Sequence, residues 1–199
     1  MSIESTNPDV KAISDRFKSK IIKVKEFRGQ TFVCIDRKDI VDVIAYLKEN
    51  PKLNYDYFVE CVGVDYSAWT HERDLPGRFE VVYNLYSTTS NRRLFVKVSA
   101  NDGESISSIK HLFLGAEYPE REIQDLYGIP FEGNPEPSGM RFLLPDTWVG
   151  FPLRKEFPLG GEDVVFHDRT TGPAIEDLQV PHAGESFEGK TGSSEISKR

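Results

Sequence analysis

The stretch from Ile129 to Leu159 constrains this chain more than any other. It holds six prolines, yet it is rich in large apolar residues, among them Phe142, Leu144, Trp148, Phe151 and Phe157. Proline fixes φ and removes an N–H donor, so such a stretch cannot run as a helix or an inner strand. A solvated loop has no need of the apolar side chains. Apolar residues with neither a helix nor a strand repeat describe an extended arm laid on a surface, its own or another protein's.

Upstream the repeats are regular. Asn7-Pro8 reads as an N-cap and first-turn proline, followed by Val10, Ile13 and Phe17 at helical spacing. Ile21 to Phe27 and Thr31 to Ile35 read as two strands turning at Arg28-Gly29. Asp36 caps a helix with Ile40, Ile44 and Leu47 on one stripe, stopped at Asn50-Pro51. Three strand-like runs follow, Tyr57 to Tyr66, Arg78 to Ser87 and Arg92 to Ser99, the last two joined by a turn at Thr88 to Asn91. Leu94, Val96 and Val98 alternate with polar residues, so one face of that strand meets a core. Ile106, Ile109 and Phe113 predict a helix over 102–115, and Pro119 to Gly128 predict another.

The expected fold is therefore α+β: a mostly antiparallel sheet with helices packed on one face, then the irregular proline-rich arm and an extended C-terminal tail. The organisation reads as a core domain over 1–128, an interaction arm over 129–160 and a tail over 161–199. The tail carries eight Asp or Glu against four Lys or Arg and only ten apolar residues, too few to fold independently.

Composition excludes several functions. A net charge of −7 opposes nucleic-acid binding, which rests on phosphate neutralisation. No apolar run nears the ~20 residues that span a bilayer, and the first residues form no secretory leader. Two cysteines, Cys34 and Cys61, are too few for a conventional iron–sulfur cluster and lack the spacing of a zinc site. His71, His111, His167 and His182 are scattered without ligand spacing. No nucleotide-binding glycine loop, phosphate loop or nucleophile elbow occurs.

Two segments carry information beyond the fold. The first runs Tyr118-Pro119-Glu120-Arg121-Glu122-Ile123-Gln124-Asp125-Leu126-Tyr127-Gly128-Ile129-Pro130-Phe131. On a helix, Arg121 and Asp125 lie four apart and can pair, with Ile123 and Leu126 facing inward. Glu120 and Glu122 suit the positive end of the helix dipole. Glu120, Glu122 and Asp125 also allow the reading of a metal-dependent hydrolase. The second segment runs from Met140-Arg141 through Trp148 to Pro152-Leu153-Arg154-Lys155-Glu156-Phe157-Pro158. There a guanidinium on a preset backbone can grip a partner carboxylate at little ordering cost.

Taken together and in order, E-R-E-x-x-D-L-Y-G-I-x-F, R-x-L-L-P, a tryptophan and G-x-P-L-R-K-E-F-P resemble the signature of the C subunit of the proton-pumping NADH:quinone oxidoreductase, respiratory complex I. The match spans Glu117 to Pro158. Departures are Asn134 where the family usually has histidine, Met140-Arg141 where it often has a basic pair, and Glu156 where it has aspartate. The resemblance implies a cofactor-free scaffolding subunit in the peripheral arm of the complex. It would sit beside the quinone-site subunit related to the hydrogenase large chain, with FMN and Fe-S clusters in partner subunits. It would be held on the cytoplasmic face of the inner membrane through those partners, without inserting. Family-motif residues that would face partners are Glu120, Arg121, Glu122, Asp125, Tyr127, Gly128, Arg141, Trp148, Pro152, Leu153, Arg154 and Lys155. No catalytic, metal or cofactor residue is expected. The same type of subunit serves hydrogenase-like and ferredoxin-fed membrane complexes, and nothing in the chain reads the electron donor.

Overall fold

Asn7 opens the first helix as its sequence position predicts, its side chain accepting the Asp9 N–H at 3.0 Å. In the computed structural model, which describes residues 7–134 and 141–157, this helix is α1 (Pro8–Phe17). It is followed by β1 (Ile21–Phe27), β2 (Gln30–Ile35), α2 (Ile40–Glu49), β3 (Tyr57–Asp65), β4 (Phe79–Ser87) and β5 (Arg92–Ala100). Then come β6 (Ile106–Ser107), α3 (Glu117–Tyr127) and β7 (Phe131–Glu132). The α+β class expected from the repeats is what the chain adopts. The tail, residues 161–199, lies outside the described residues.

Five strands form one sheet in the order β1-β2-β5-β4-β3. Every neighbouring pair is antiparallel except β2 with β5, which run parallel. The β1–β2 hairpin turns at Arg28 and Gly29, both with positive φ (51° and 74°), the geometry that matches strand twist.

Period-two alternation puts one set of side chains on the helix side. Val33 and Ile35, Val81, Tyr83 and Leu85, and Leu94, Val96 and Val98 are all buried. Against them pack Ile13 of α1, Ile40, Ile44 and Leu47 of α2, and Ile123 of α3, each at most 3% exposed. Each such side chain contributes about 1.5–3 kcal/mol relative to solvent exposure. Ile129 and Phe131, which the sequence assigns to the arm, also join this core. Of the two cysteines, both buried, Cys34 faces away from the helices, and burial pushes its thiol up to about 11.

The helix expected over 102–115 is not formed. Ile106 and Ser107 instead pair in parallel with Phe131 and Glu132, and a short tight turn at Leu114–Ala116 leads into α3. Ile106, Ile109 and Phe113 are all buried as a helix stripe would be. What diverts the backbone is Glu120: its carboxylate takes the Ile109 N–H at 2.9 Å and the Ser108 hydroxyl at 2.5 Å. The Ile109 N–H is thereby bound to a neighbouring element rather than to a helix ladder.

Among the described residues no helix is long and apolar enough to cross a membrane.

Candidate docking arm

A helix ends with four carbonyls that have no partner in the helix. At the end of α3 all four are filled, and the arm supplies three of the donors. Gly128 N–H donates to Gln124 O at 2.8 Å, with Gly128 in the left-handed region at φ 73°. Arg141 donates to Asp125 O at 3.1 Å. Leu153 N–H reaches Leu126 O at 3.2 Å, and Arg154 Nε reaches Tyr127 O at 2.7 Å. The arm is the C-cap of α3, and two of its donors are cations placed at the negative end of the dipole.

One pin of the arm is buried. Asp125 has no exposed side-chain surface. It accepts from Arg141 at 3.1 Å and from the N–H groups of Leu143 and Leu144 at 2.8 and 2.9 Å. Arg141 turns its remaining donors to Trp148 O and Gly150 O, both at 3.2 Å. Burial by itself would raise the Asp125 pKa. The two N–H groups and the guanidinium outweigh it and hold this carboxyl below its usual value.

A second pin lies at the far end. Arg154 binds Asp102 bidentately at 3.0 and 2.8 Å, and its guanidinium lies over the Phe151 ring, 4.6 Å from the centroid. Beside it Asp65, fully covered by its surroundings, accepts from Arg78 at 3.0 Å and from the Lys155 N–H at 2.9 Å. Burial opposes ionisation of Asp65 too, yet Arg78 and the backbone donors hold its pKa well below the usual range. Arg78 also bonds Glu156, so the last residues of the arm are tied to the start of β4.

Shape supports these charges. A Cβ on Gly128 would stand 2.5 Å from the Phe151 ring, so glycine here is required by space as well as by φ. Tyr127 meets Phe79 edge-on at 6.5 Å, Trp148 stacks on Phe157 at 6.0 Å, and Phe142 stacks on Tyr118 at 5.6 Å, with the Arg121 guanidinium 5.0 Å from the Phe142 centroid.

Several sequence expectations need correction in this region. Asp125 pairs with Arg141 rather than with Arg121, because α3 turns Asp125 inward while Arg121 lies along the arm's aromatic rings. Glu120, which the resemblance has facing a partner, is turned inward instead. It is fully buried and accepts from Ser108, Ile109 and the Asn134 amide at 3.0 Å. Burial pushes its pKa up, opposed by those three donors. Leu126 is half-buried rather than inward-facing. Arg154 finds its carboxylate in this same chain, at Asp102. Glu120, Glu122 and Asp125 do not converge: Glu120 and Asp125 belong to separate buried networks and Glu122 is exposed. No group of three acidic, histidine or cysteine side chains suited to a metal is present among the described residues.

Sequence reasoning missed Asp65, Arg78, Asp102 and Ser108 as partners of the motif. Each lies 12 or more positions from the group it holds in the motif, and no local pattern announces such a pair. The folded arm turns Val149, Leu143 and Leu153 outward, at 86%, 56% and 45% exposure, beside the exposed Asp146, Thr147 and Glu156. Lys155 is exposed, and its ammonium forms no ion pair among the described residues.

Solved structures give the class. The fold is similar to a trypsin-resistant fragment of Nqo5, with 27% identity and a TM-score of 0.56 over 65% of this chain and 98% of that fragment. The same fold occurs in the membrane-bound sulfane sulfur reductase, an archaeal respiratory membrane complex, at 24% identity and a TM-score of 0.59 over 76% of this chain and 84% of that one. An α+β fold of the Nqo5 type is thus the class to which this chain belongs.

Within that class, the chain belongs to the family of the respiratory-chain NADH dehydrogenase 30 kDa subunit, which it matches over residues 33–163. Its relatives include the C subunit of the NADH-quinone oxidoreductase of Roseiflexus sp., 40% identical over 147 residues, covering 73% of this chain and 80% of the relative. The corresponding protein of Geobacter sulfurreducens is 37% identical over 158 residues, covering 79% and 92%.

Proposed function

We propose that this chain is a non-catalytic structural and assembly subunit in the peripheral arm of a proton-translocating NADH:quinone oxidoreductase. The complex passes electrons from NADH through FMN and Fe-S clusters, held by other subunits, to quinone. This subunit docks beside the quinone-site subunit related to the hydrogenase large chain, on the cytoplasmic face of the membrane, and reaches the membrane only through its partners.

One observation carries the reading. Both arginines of the arm's motif are consumed in shaping it. Arg141 and Arg154 fill carbonyls of α3 and bind carboxylates of the same chain, while Leu143, Val149 and Leu153 point outward. Apolar side chains held outward on a backbone pinned by its own arginines form a surface suited to being covered, with the exposed Asp146, Lys155 and Glu156 as its polar neighbours. Its anchoring arginines act by preorganising that apolar surface, so a partner does not meet the cost of ordering it.

The test is Arg154→Ala expressed with the remaining subunits. The expected result is a lower yield of assembled complex, with normal quinone reduction per assembled complex. Normal yield with a selectively slowed quinone step would overturn the proposal.

A further inference from the structure

The sheet has two edges, and they are built differently. β1 exposes Ile22 and Phe27 but carries three charges between them, Lys23 and Lys25 bound to Asp74 at 2.8 and 3.5 Å and Glu26 beside them. Charged edge strands, lysines above all, are a usual defence against pairing with another chain. β3, the other edge, contains no lysine, arginine or proline over its nine residues. No strand of the described residues lies on its outer side. Tyr57, Val59 and Val62 are 56%, 36% and 45% exposed.

Beside this edge lies a cleft of about 340 Å³ between β3 and α3, floored by Cys61, Gly63 and Ile123 and lined also by Leu153 of the arm. The floor is low because β3 carries glycine there: a Cβ on Gly63 would stand 3.0 Å from the Tyr127 ring. The charged groups on the cleft are two carboxylates, Glu60 and Glu122, both exposed. Glu122 has no ion-pair partner among the described residues, and Glu60 has only a 3.5 Å contact with the Asn84 amide. An edge strand without cations, whose exposed residues are apolar apart from the carboxylate of Glu60, with Glu122 facing it from α3, is complementary to one chemistry.

We infer that the outer edge of β3 and the cleft beneath it receive an extended segment of a partner subunit, apolar with at least one lysine or arginine, which adds to the sheet as a sixth strand. Backbone hydrogen bonds to β3 would supply affinity, alternate apolar side chains would enter the cleft over Ile123 and Leu153, and the cation would meet Glu60 and Glu122. Because Leu153 is held by its own N–H on Leu126 O, the arm and the incoming strand share a wall, and docking at one supports docking at the other. The inference rests on the proposed membership of this chain in a multisubunit redox complex.

The experiment uses the full chain in cells that make the whole complex. With Val62 replaced by the photo-crosslinker p-benzoylphenylalanine, irradiation of the purified complex should give one dominant adduct. The adduct should lie on a segment of another subunit that carries apolar residues and a Lys or Arg. In parallel, the charge reversal Glu60→Lys with Glu122→Lys, coexpressed in competition with the natural chain, should enter the complex about tenfold less often. Its thermal midpoint should be unchanged, since both positions are exposed. Lys25→Ala, on the opposite edge, should enter normally. An adduct on residues 158–199 of the same chain, an adduct on a second copy, or normal entry of the reversed variant would overturn the inference while leaving the proposed function standing. Should the double reversal lower the midpoint, Val62→Lys replaces it, with the same loss of entry expected. Absence of the natural chain from the purified complex would overturn the proposed function itself.

Discussion

Arg141 and Arg154 stand near opposite ends of one arm and clamp the last turn of one helix, yet they differ in what they bind. The carboxylate under Arg141 has no exposed side-chain surface, whereas the carboxylate under Arg154, on Asp102, is 56% exposed. Water screens the second pair and scarcely touches the first. A buried pair is costly to break from one side because the orphaned charge stays desolvated; an exposed pair leaves its survivor to water. The same residue type in the same motif thus has two jobs. At Arg141 it neutralises a buried carboxylate, and at Arg154 it ties the helix end to an exposed one.

The largest expected effect follows from the buried pin. Arg141→Ala leaves Asp125 charged and covered and strips donors from Trp148 O and Gly150 O, a loss of about 3–5 kcal/mol. For a folded unit of this size that lowers Tm by about 10 °C, measurable by calorimetry on the isolated chain. The pin should also depend on pH. The Asp125 pKa is lowered in the folded chain, so its stabilisation is present above the unfolded carboxyl value of about 3.9 and fades as pH falls through the folded one. Glu120, raised by burial, works the other way: its contribution is complete below about 4.3 and is lost as pH rises through its folded value. Thermal midpoints followed from pH 7 downward should therefore fall less steeply in Asp125→Asn than in the natural chain. In Glu120→Gln they should fall more steeply. Parallel profiles for the two variants would show that neither carboxylate titrates with folding.

Gly128→Ala comes next and tests shape rather than charge. The new methyl would meet the Phe151 ring on a backbone already at φ 73°, costing about 2–4 kcal/mol. Phe151 is the part able to move, so the cost should appear as release of the arm. Trypsin should then cut at Arg154 or Lys155 before it cuts the sheet, and equal cutting rates in variant and natural chain would refute the geometry.

How far the sequence disclosed all this differs between the two pins. β1 to β5, α1, α2 and α3 were legible from repeats and caps, because a core-facing stripe repeats locally; the two-residue strands β6 and β7 were not. The helix expected over 102–115 failed because Ile106, Ile109 and Phe113 satisfy a helical stripe and a buried irregular turn equally well. Glu120, which decides between them, lies beyond the window. The importance of Arg141 and Arg154 was legible from the family signature, but their partners were not. Arg121 is the local partner that spacing offers Asp125, and the real one stands 16 positions on, across a chain reversal. Asp102 is 52 positions from Arg154. The parallel pairing of β2 with β5 was hidden for the same reason, since nothing in either strand records its neighbour.

The smallest effects belong to the exposed pin, and they separate its parts. Arg154→Ala removes the bond to Tyr127 O, the bidentate pair and the contact over Phe151, together about 1–2 kcal/mol. Asp102→Asn removes only the charge of the exposed partner and should cost less than about 1 kcal/mol. Arg154 is itself only 12% exposed, so its packing and its bond to the helix end survive the loss of Asp102. Salt tells them apart. At an ionic strength of about 1 M the Debye length shrinks to ~3 Å, and Asp102→Asn should become indistinguishable from the natural chain. The Arg154→Ala deficit should shrink only in part, and the Arg141→Ala deficit should persist. If the Asp102→Asn deficit instead matched that of Arg141→Ala and resisted salt, the two pins would be equivalent, and exposure would not be what distinguishes them.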